Sequence, residues 1–172
     1  PAAAISDADT TVKALWKVTL PDGFLSTVAD NSTLVEDGKE FTFKAVDTHY
    51  EYYLNITTNG ATSIVKMDKA TYTIKNITDN VTVALGDKIG KTYTIKYVVE
   101  DNTTTENKAT VADLVEYSTT TVQYPNDYKF TVKFPGTGYM VWPSVTPRQN
   151  TWDYVRQEDG AKLYTLSGAS LV

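Results

Sequence analysis

Apolar residues recur at every second position in short runs along the chain. Trp16, Val18 and Leu20 alternate with Lys17 and Thr19, and Phe41, Phe43 and Ala45 alternate with Thr42 and Lys44. Tyr50, Tyr52, Leu54 and Ile56 alternate in the same way with Glu51, Tyr53 and Asn55. A period of two is that of a strand with one face in a core. Further strands are expected over Ser63–Met67, Ala70–Lys75 and Val81–Leu85, and in the second half over Thr92–Val99, Lys129–Phe134 and Tyr139–Val145. Between these runs lie Pro21-Asp22-Gly23, Asp47-Thr48, Asn59-Gly60 and Pro135-Gly136-Thr137-Gly138, residues that pre-set or tolerate turn conformations. Helix is expected only as a turn within Asp113–Ser118.

The same pattern is written twice. Laid without a gap on Lys129–Thr146, the stretch Glu40–Thr57 places Phe41 on Phe130, Thr42 on Thr131, Lys44 on Lys133, Tyr50 on Tyr139 and Thr57 on Thr146. Matching segments about 90 residues apart imply two copies of one module, each the size of a small β-sandwich. Trp16 then corresponds to Tyr93, Thr27-Val28-Ala29-Asp30 to Thr110-Val111-Ala112-Asp113, and Tyr72 to Tyr164, with the offset growing from 77 to 83, 89 and 92 residues. The expected domains are 1–87 and 88–172, joined by Gly86–Gly90 as a short linker. No counterpart of Val81–Leu85 closes the second copy, which leaves an unpaired edge there. Either the second copy is cut short, or a neighbouring subunit supplies the strand. Residues 1–11, with Ala2, Ala4 and Ile5, and the adjoining Val12 are the candidate donor.

Composition agrees with strands. Thr is the commonest residue, about one in six, and with Val, Ile and Tyr it favours the pleated conformation. A hydrophobic share of 41% and a charged share of 22% describe an ordinary folded chain. The net charge of −5, with lysines scattered singly, argues against a nucleic-acid partner, which needs a clustered basic stripe. Cysteine is absent, which removes disulfides and thiolate metal sites. No apolar run is long enough to span a bilayer as a helix, so membrane insertion is not expected. Pro1-Ala2-Ala3-Ala4 lacks the regions of a signal peptide and reads as a mature end or a cut within a longer parent.

The Asp37–Phe43 entry, the Asn59-Gly60 turn and the run Ala70-Thr71-Tyr72-Thr73-Ile74-Lys75-Asn76-Ile77-Thr78-Asp79-Asn80-Val81-Thr82-Val83 resemble the immunoglobulin-like repeats of bacterial cell-surface and secreted proteins. The resemblance covers the first copy nearly whole and the second more loosely. It implies an all-β fold of two tandem immunoglobulin-like antiparallel β-sandwiches, at the bacterial cell surface or outside the cell. Such repeats serve as spacers, adhesin stalks, S-layer parts and accessory modules of glycan-degrading enzymes. The expected partners are therefore other domains or subunits of a surface assembly, or a polysaccharide.

Candidate chemistry is thin. The single His, His49, sits in a turn, where a solvated role outweighs that of a catalytic base. Glu51, Asp153, Glu158 and Asp159 are scattered carboxylates, so no catalysis is expected. Asp7-Ala8-Asp9 and Asp101-Asn102 are fragments of the kind that a structural Ca²⁺ accepts, although no complete calcium loop is present. Related surface domains also use Lys–Asn isopeptide bonds, for which Lys17 or Lys44 with Asn76 are the available residues. The more distinctive feature is aromatic. Tyr53 and Trp142 occupy the same outward slot in the two copies, and Trp152, Tyr154 and Arg156 form an alternating row. Sugars stack on aromatic faces flanked by polar groups. Trp142, Trp152 and Tyr154 with Asn150, Asp153 and Arg156 thus form a candidate carbohydrate platform, the alternative being that Trp142 packs against the sister domain.

Overall fold

The computed structural model describes residues 13–100, 109–136, 140–146 and 154–168. The protein is all-β, with most of its strands in antiparallel sheets. It divides into two compact units, Pro1–Ile89 and Gly90–Val172.

The first unit contains β1 (Leu15–Thr19), β2 (Phe24–Ser26), β3 (Leu34–Glu36), β4 (Lys39–Ala45), β5 (Tyr50–Thr58), β6 (Ala61–Met67), β7 (Thr71–Ile77) and β8 (Val81–Gly90). They form a five-stranded sheet in the order β3-β1-β8-β5-β6 and a three-stranded sheet β2-β4-β7. The alternation in the sequence decides which side chains meet between them. Val18, Tyr52, Leu54, Ile56, Val81 and Val83 come from the larger sheet, and Phe24, Phe41, Phe43, Ala45 and Ile77 from the smaller, into one buried cluster. Phe24 meets Phe43 at 6.0 Å and Tyr52 of the opposite sheet at 5.0 Å, both edge to face. Each fully buried ring of this kind contributes about 1.5–3 kcal/mol by leaving water. The Tyr52 hydroxyl donates to the Asp47 carbonyl at 2.7 Å, so burying the ring strands no polar group.

Asn59-Gly60 forms the tight β5–β6 turn, with φ of 50° and 71° and the pair Thr58↔Ala61 closing it. Positive φ at both central residues is the twist that suits a two-residue hairpin. β8 runs on through Gly86–Gly90, so this stretch is strand rather than linker. The reason lies in its neighbour. β5 is nine residues long, and β8 passes so close that a Cβ at Gly86 would lie 3.0 Å from the Tyr53 carbonyl oxygen.

The second unit contains β9 (Thr92–Thr94), α1 (Val111–Leu114), β10 (Val115–Glu116), β11 (Thr121–Gln123), β12 (Tyr128–Val132), β13 (Tyr154–Arg156) and β14 (Lys162–Leu166). Its strands pair as β9-β11 and as β10-β12-β14-β13. The first pair repeats β1-β3 bond for bond. Trp16↔Val35 corresponds to Tyr93↔Val122. The bonds Val18 N–H to Thr33 O (2.8 Å) and Asp37 N–H to Ala14 O (3.0 Å) recur as Ile95 N–H to Thr120 O (2.7 Å) and Tyr124 N–H to Lys91 O (3.0 Å). Likewise Ser26↔Phe43 of β2-β4 recurs 89 residues on as Val115↔Val132 of β10-β12.

Two of the sequence equivalences move. Phe43 pairs with Tyr72, but Val132 pairs with Lys162, while Tyr164 lies opposite Phe130. Tyr164 therefore stands where Ile74 stands in the first unit, and its ring stacks on Phe130 at 5.4 Å. A slip of two residues keeps the same face inward, so alternation alone does not detect it. The two Thr-Val-Ala-Asp segments are not equivalent either, since Thr27–Asp30 follows β2 whereas Thr110–Asp113 precedes β10. The second segment forms a capping box instead. Asp113 accepts from the Thr110 backbone N–H at 2.8 Å, and Thr110 Oγ1 accepts from the Asp113 N–H at 3.4 Å. The helical turn consequently starts at Val111, and Val115-Glu116, expected within a helical turn, join β10.

Phe43 is fully buried and touches Phe24, Phe41 and Tyr72. Phe43→Ala should cost about 3–5 kcal/mol, read in urea denaturation of the chain as a lowered midpoint for loss of β4 and β7 protection. A second expectation concerns pH. The Thr110 backbone N–H and then its hydroxyl hold the Asp113 carboxyl below the usual carboxylate range. A depressed carboxylate supports its fold above the unfolded pKa, about 3.9, and loses that support as pH falls through the folded value. Amide exchange at Asp113 should accelerate there, and Asp113→Ala should show the fast rate at every pH.

Candidate functional site

Of the aromatic residues expected on the second unit, Tyr154 lies in β13, while Trp142 lies outside any described strand. Tyr154 and Arg156 lie on one face of β13, directly opposite Tyr164 and Lys162 of β14. Tyr164 is buried, so that face is the core side, and Tyr154 covers its margin at the edge of the sheet. The Tyr154 ring leans on Tyr164 at 5.5 Å, with the Lys162 ammonium 4.6 Å from its centroid. Hydrogen bonding from Arg156, then the charge of Lys162, hold the Tyr154 phenol below the ordinary range, while burial pushes Tyr164 up. Tyr154 is 37% exposed at that edge.

Trp142 differs. Residues 140–146 belong to no strand, yet Met140, Trp142, Ser144 and Thr146 are exposed while Val141, Pro143 and Val145 are half-buried. Val141 and Val145 pack on the second core. Trp142 is 65% exposed, and among the described residues no ring or hydrogen-bond partner reaches it. Trp152, Asn150 and Asp153 lie outside the described residues, as do Asp7, Asp9, Asp101 and Asn102 of the calcium reading and the donor residues Ala2, Ala4, Ile5 and Val12. In the first unit, half-buried Tyr53 borders a shallow depression of about 300 Å³ with Asn55, Ile64, Gly86, Asp87 and Ile89. That surface holds one charged pair nearby, Lys66 to Glu51 at 2.9 Å.

The other polar residues singled out by sequence serve local structure. Asp47 accepts from the His49 N–H at 2.9 Å in the β4–β5 turn, and Asp159 accepts from the Ala161 N–H at 3.0 Å before β14. Glu158 is exposed. Lys17, Lys44 and Asn76 are exposed too, outside the dry interior in which an amine and an amide would be held to react. Among the described residues no group of three or more acidic or His side chains is placed to hold a metal ion. None of their helices is long and apolar enough to cross a membrane.

In the first unit β8 lies inside the larger sheet, with β1 on one side and β5 on the other. The counterparts of those two neighbours are the segments that follow Thr94 and Gly138, and neither 95–100 nor 140–146 belongs to a ladder. Ile95 and Tyr97 nevertheless keep the inward face and pack on the second core. Tyr97 stacks on Tyr117 at 4.7 Å and bonds the Tyr128 hydroxyl at 2.9 Å, and burial pushes its phenol up. No family model, curated protein or solved structure matches the chain.

Tyrosine titration followed by ¹³C NMR should find Tyr154 below and Tyr164 above the free phenol value. Arg156→Gln should raise Tyr154 and leave Tyr164 nearly unmoved.

Proposed function

We propose that the chain is a non-catalytic structural module of an extracellular bacterial surface protein or assembly, built as two tandem immunoglobulin-like β-sandwiches. The observation that carries this reading is the pairing of the first unit's terminal strands. β1 and β8 run parallel, side by side, through Val18↔Val81 and Thr19↔Thr82, and the Lys17 N–H donates to Asn80 Oδ1 at 2.9 Å beside them. Tension applied between the ends of that unit pulls these strands past each other, so their bonds are loaded together rather than opened one at a time. A spacer or stalk segment needs that arrangement. The five- and three-stranded sheets around one core, with first and last strands adjacent, support the immunoglobulin-like assignment.

A second reading, a carbohydrate-binding module, is favoured by one observation, the exposed indole of Trp142.

The two readings separate in one pair of measurements. Pulled from its ends, the chain should show a discrete unfolding event that releases on the order of 250–300 Å. Its mobility in gels cast with soluble polysaccharides should not change. Retardation that Trp142→Ala abolishes, without a discrete mechanical event, would establish the binding module instead.

A further inference from the structure

Two cations stand directly opposite one another at the edge of the second unit. Arg156 of β13 and Lys162 of β14 are cross-strand partners, on the face that also carries the pair Tyr154 and Tyr164. Like charges in that relation repel. We propose that Arg156, Lys162 and the Tyr154 hydroxyl form a receiving site for a sulfate or phosphate group, an oxyanion that balances the charge of this edge. The site goes beyond both readings of function and depends on neither.

The counter-charge is missing from the described residues. In the first unit exposed lysines find carboxylates, Lys66 meeting Glu51 at 2.9 Å and Lys13 meeting Glu36 at 2.9 Å. Neither Arg156 nor Lys162 has such a partner among the described residues. The acidic residues of the β13–β14 turn do not supply one. Asp159 accepts from the Ala161 N–H at 3.0 Å, and Glu158 is exposed and joins no ion pair with a described residue. What the two cations share is a phenol. Arg156 donates a hydrogen bond to the Tyr154 oxygen, and the Lys162 ammonium, 4.6 Å from the centroid of the ring, acts on the same oxygen. A single neutral oxygen leaves most donors of a guanidinium and an ammonium without a protein acceptor.

The parts are held from behind. Tyr164 is buried and Tyr154 leans on it at 5.5 Å, so the phenol is fixed against the core while its side chain stays partly exposed at the margin. The hairpin closes through the Gln157 N–H to the Ala161 carbonyl at 2.8 Å, which keeps Arg156 opposite Lys162. A guanidinium offers an oxyanion a planar fork of parallel N–H bonds, and an ammonium adds a point charge. The neutral phenol can donate a further bond. A tetrahedral group has enough free oxygens to take all three, whereas a carboxylate does not. The chain as a whole carries a net charge of −5, so the attraction is local to this edge. An anion bound there and an ionised Tyr154 exclude each other, which couples the two events reciprocally.

The probe is inorganic sulfate, added to the intact chain at constant ionic strength with chloride as the balancing anion, and followed by NMR of the Tyr154 ring and the Arg156 guanidinium. Saturable shifts at both residues are expected, with Tyr154 titrating at higher pH in saturating sulfate because the bound anion favours the neutral phenol. Arg156→Gln and Lys162→Gln should each weaken sulfate by about tenfold or more, and Arg156→Lys should weaken it less than Arg156→Gln. Unchanged Tyr164 resonances show that a variant keeps its sheet. Glucose 6-sulfate separates the sources: tighter binding than inorganic sulfate identifies a group carried on a sugar, and equal binding a free anion. Shifts that chloride reproduces overturn the proposal, as does sulfate binding that survives Arg156→Gln and Lys162→Gln together, or glucose binding as well as its sulfate ester. Neutral polysaccharides carry no such group, so the gel and pulling measurements decide the earlier readings separately.

Discussion

A strand in the interior of a sheet has two edges of backbone polar groups, and it is stable only when both neighbours take them. In the first unit β8 answers that requirement for β1 and β5 at once. Because β1 is the first and β8 the last of the unit's described strands, the same contact joins the two ends of its described strand order. The rest of the larger sheet is arranged around it, β3 on the outer side of β1 and the β5–β6 hairpin on the other. Val81 and Val83 then close the core from the position where it is widest open.

Opposite this sheet stands an aromatic layer. Phe24, Phe43 and Tyr72 form a chain of ring contacts across β2-β4-β7, and Phe24 reaches Tyr52 in the other sheet. In the second unit Phe130 and Tyr164 stack within β12-β14, and Tyr97, from the segment after β9, meets Phe130 edge to face at 6.0 Å. Two of the buried phenols are satisfied by carbonyls close in sequence, Tyr52 by Asp47 and Tyr128 by Thr119 at 2.6 Å. Tyrosine can therefore do the work of phenylalanine here without leaving an orphaned hydroxyl.

The two units use β6 and β13 differently. β6 extends the larger sheet by pairing with β5, whereas β13, at the same place in chain order, pairs with β14 on the opposite sheet. This difference puts Tyr154 in the β10-β12-β14-β13 sheet, while Trp142 lies in a segment outside any described ladder. β13 is only three residues long, Tyr154-Val155-Arg156, with every side chain exposed, and so carries little hydrophobic instruction about which sheet to join. The candidate site was legible as a set of exposed residue types, and Trp142 is indeed exposed. Its assembly was not legible, because proximity between segments is a property of sheet membership.

Residue order by itself determined the all-β character, the inward and outward faces, the Asn59-Gly60 turn and the existence of two copies. Each follows from local chemistry, namely side-chain period, φ preference and repetition. It also determined the inward face of 95–100 and 140–146, where alternation persists without a ladder. Tertiary structure decided the register of Tyr164 against Phe130, the extension of β8 through Gly90 and the sheet that β13 joins. These depend on which strands lie side by side, and hydrogen bonds between strands are blind to the side chains that a sequence pattern records.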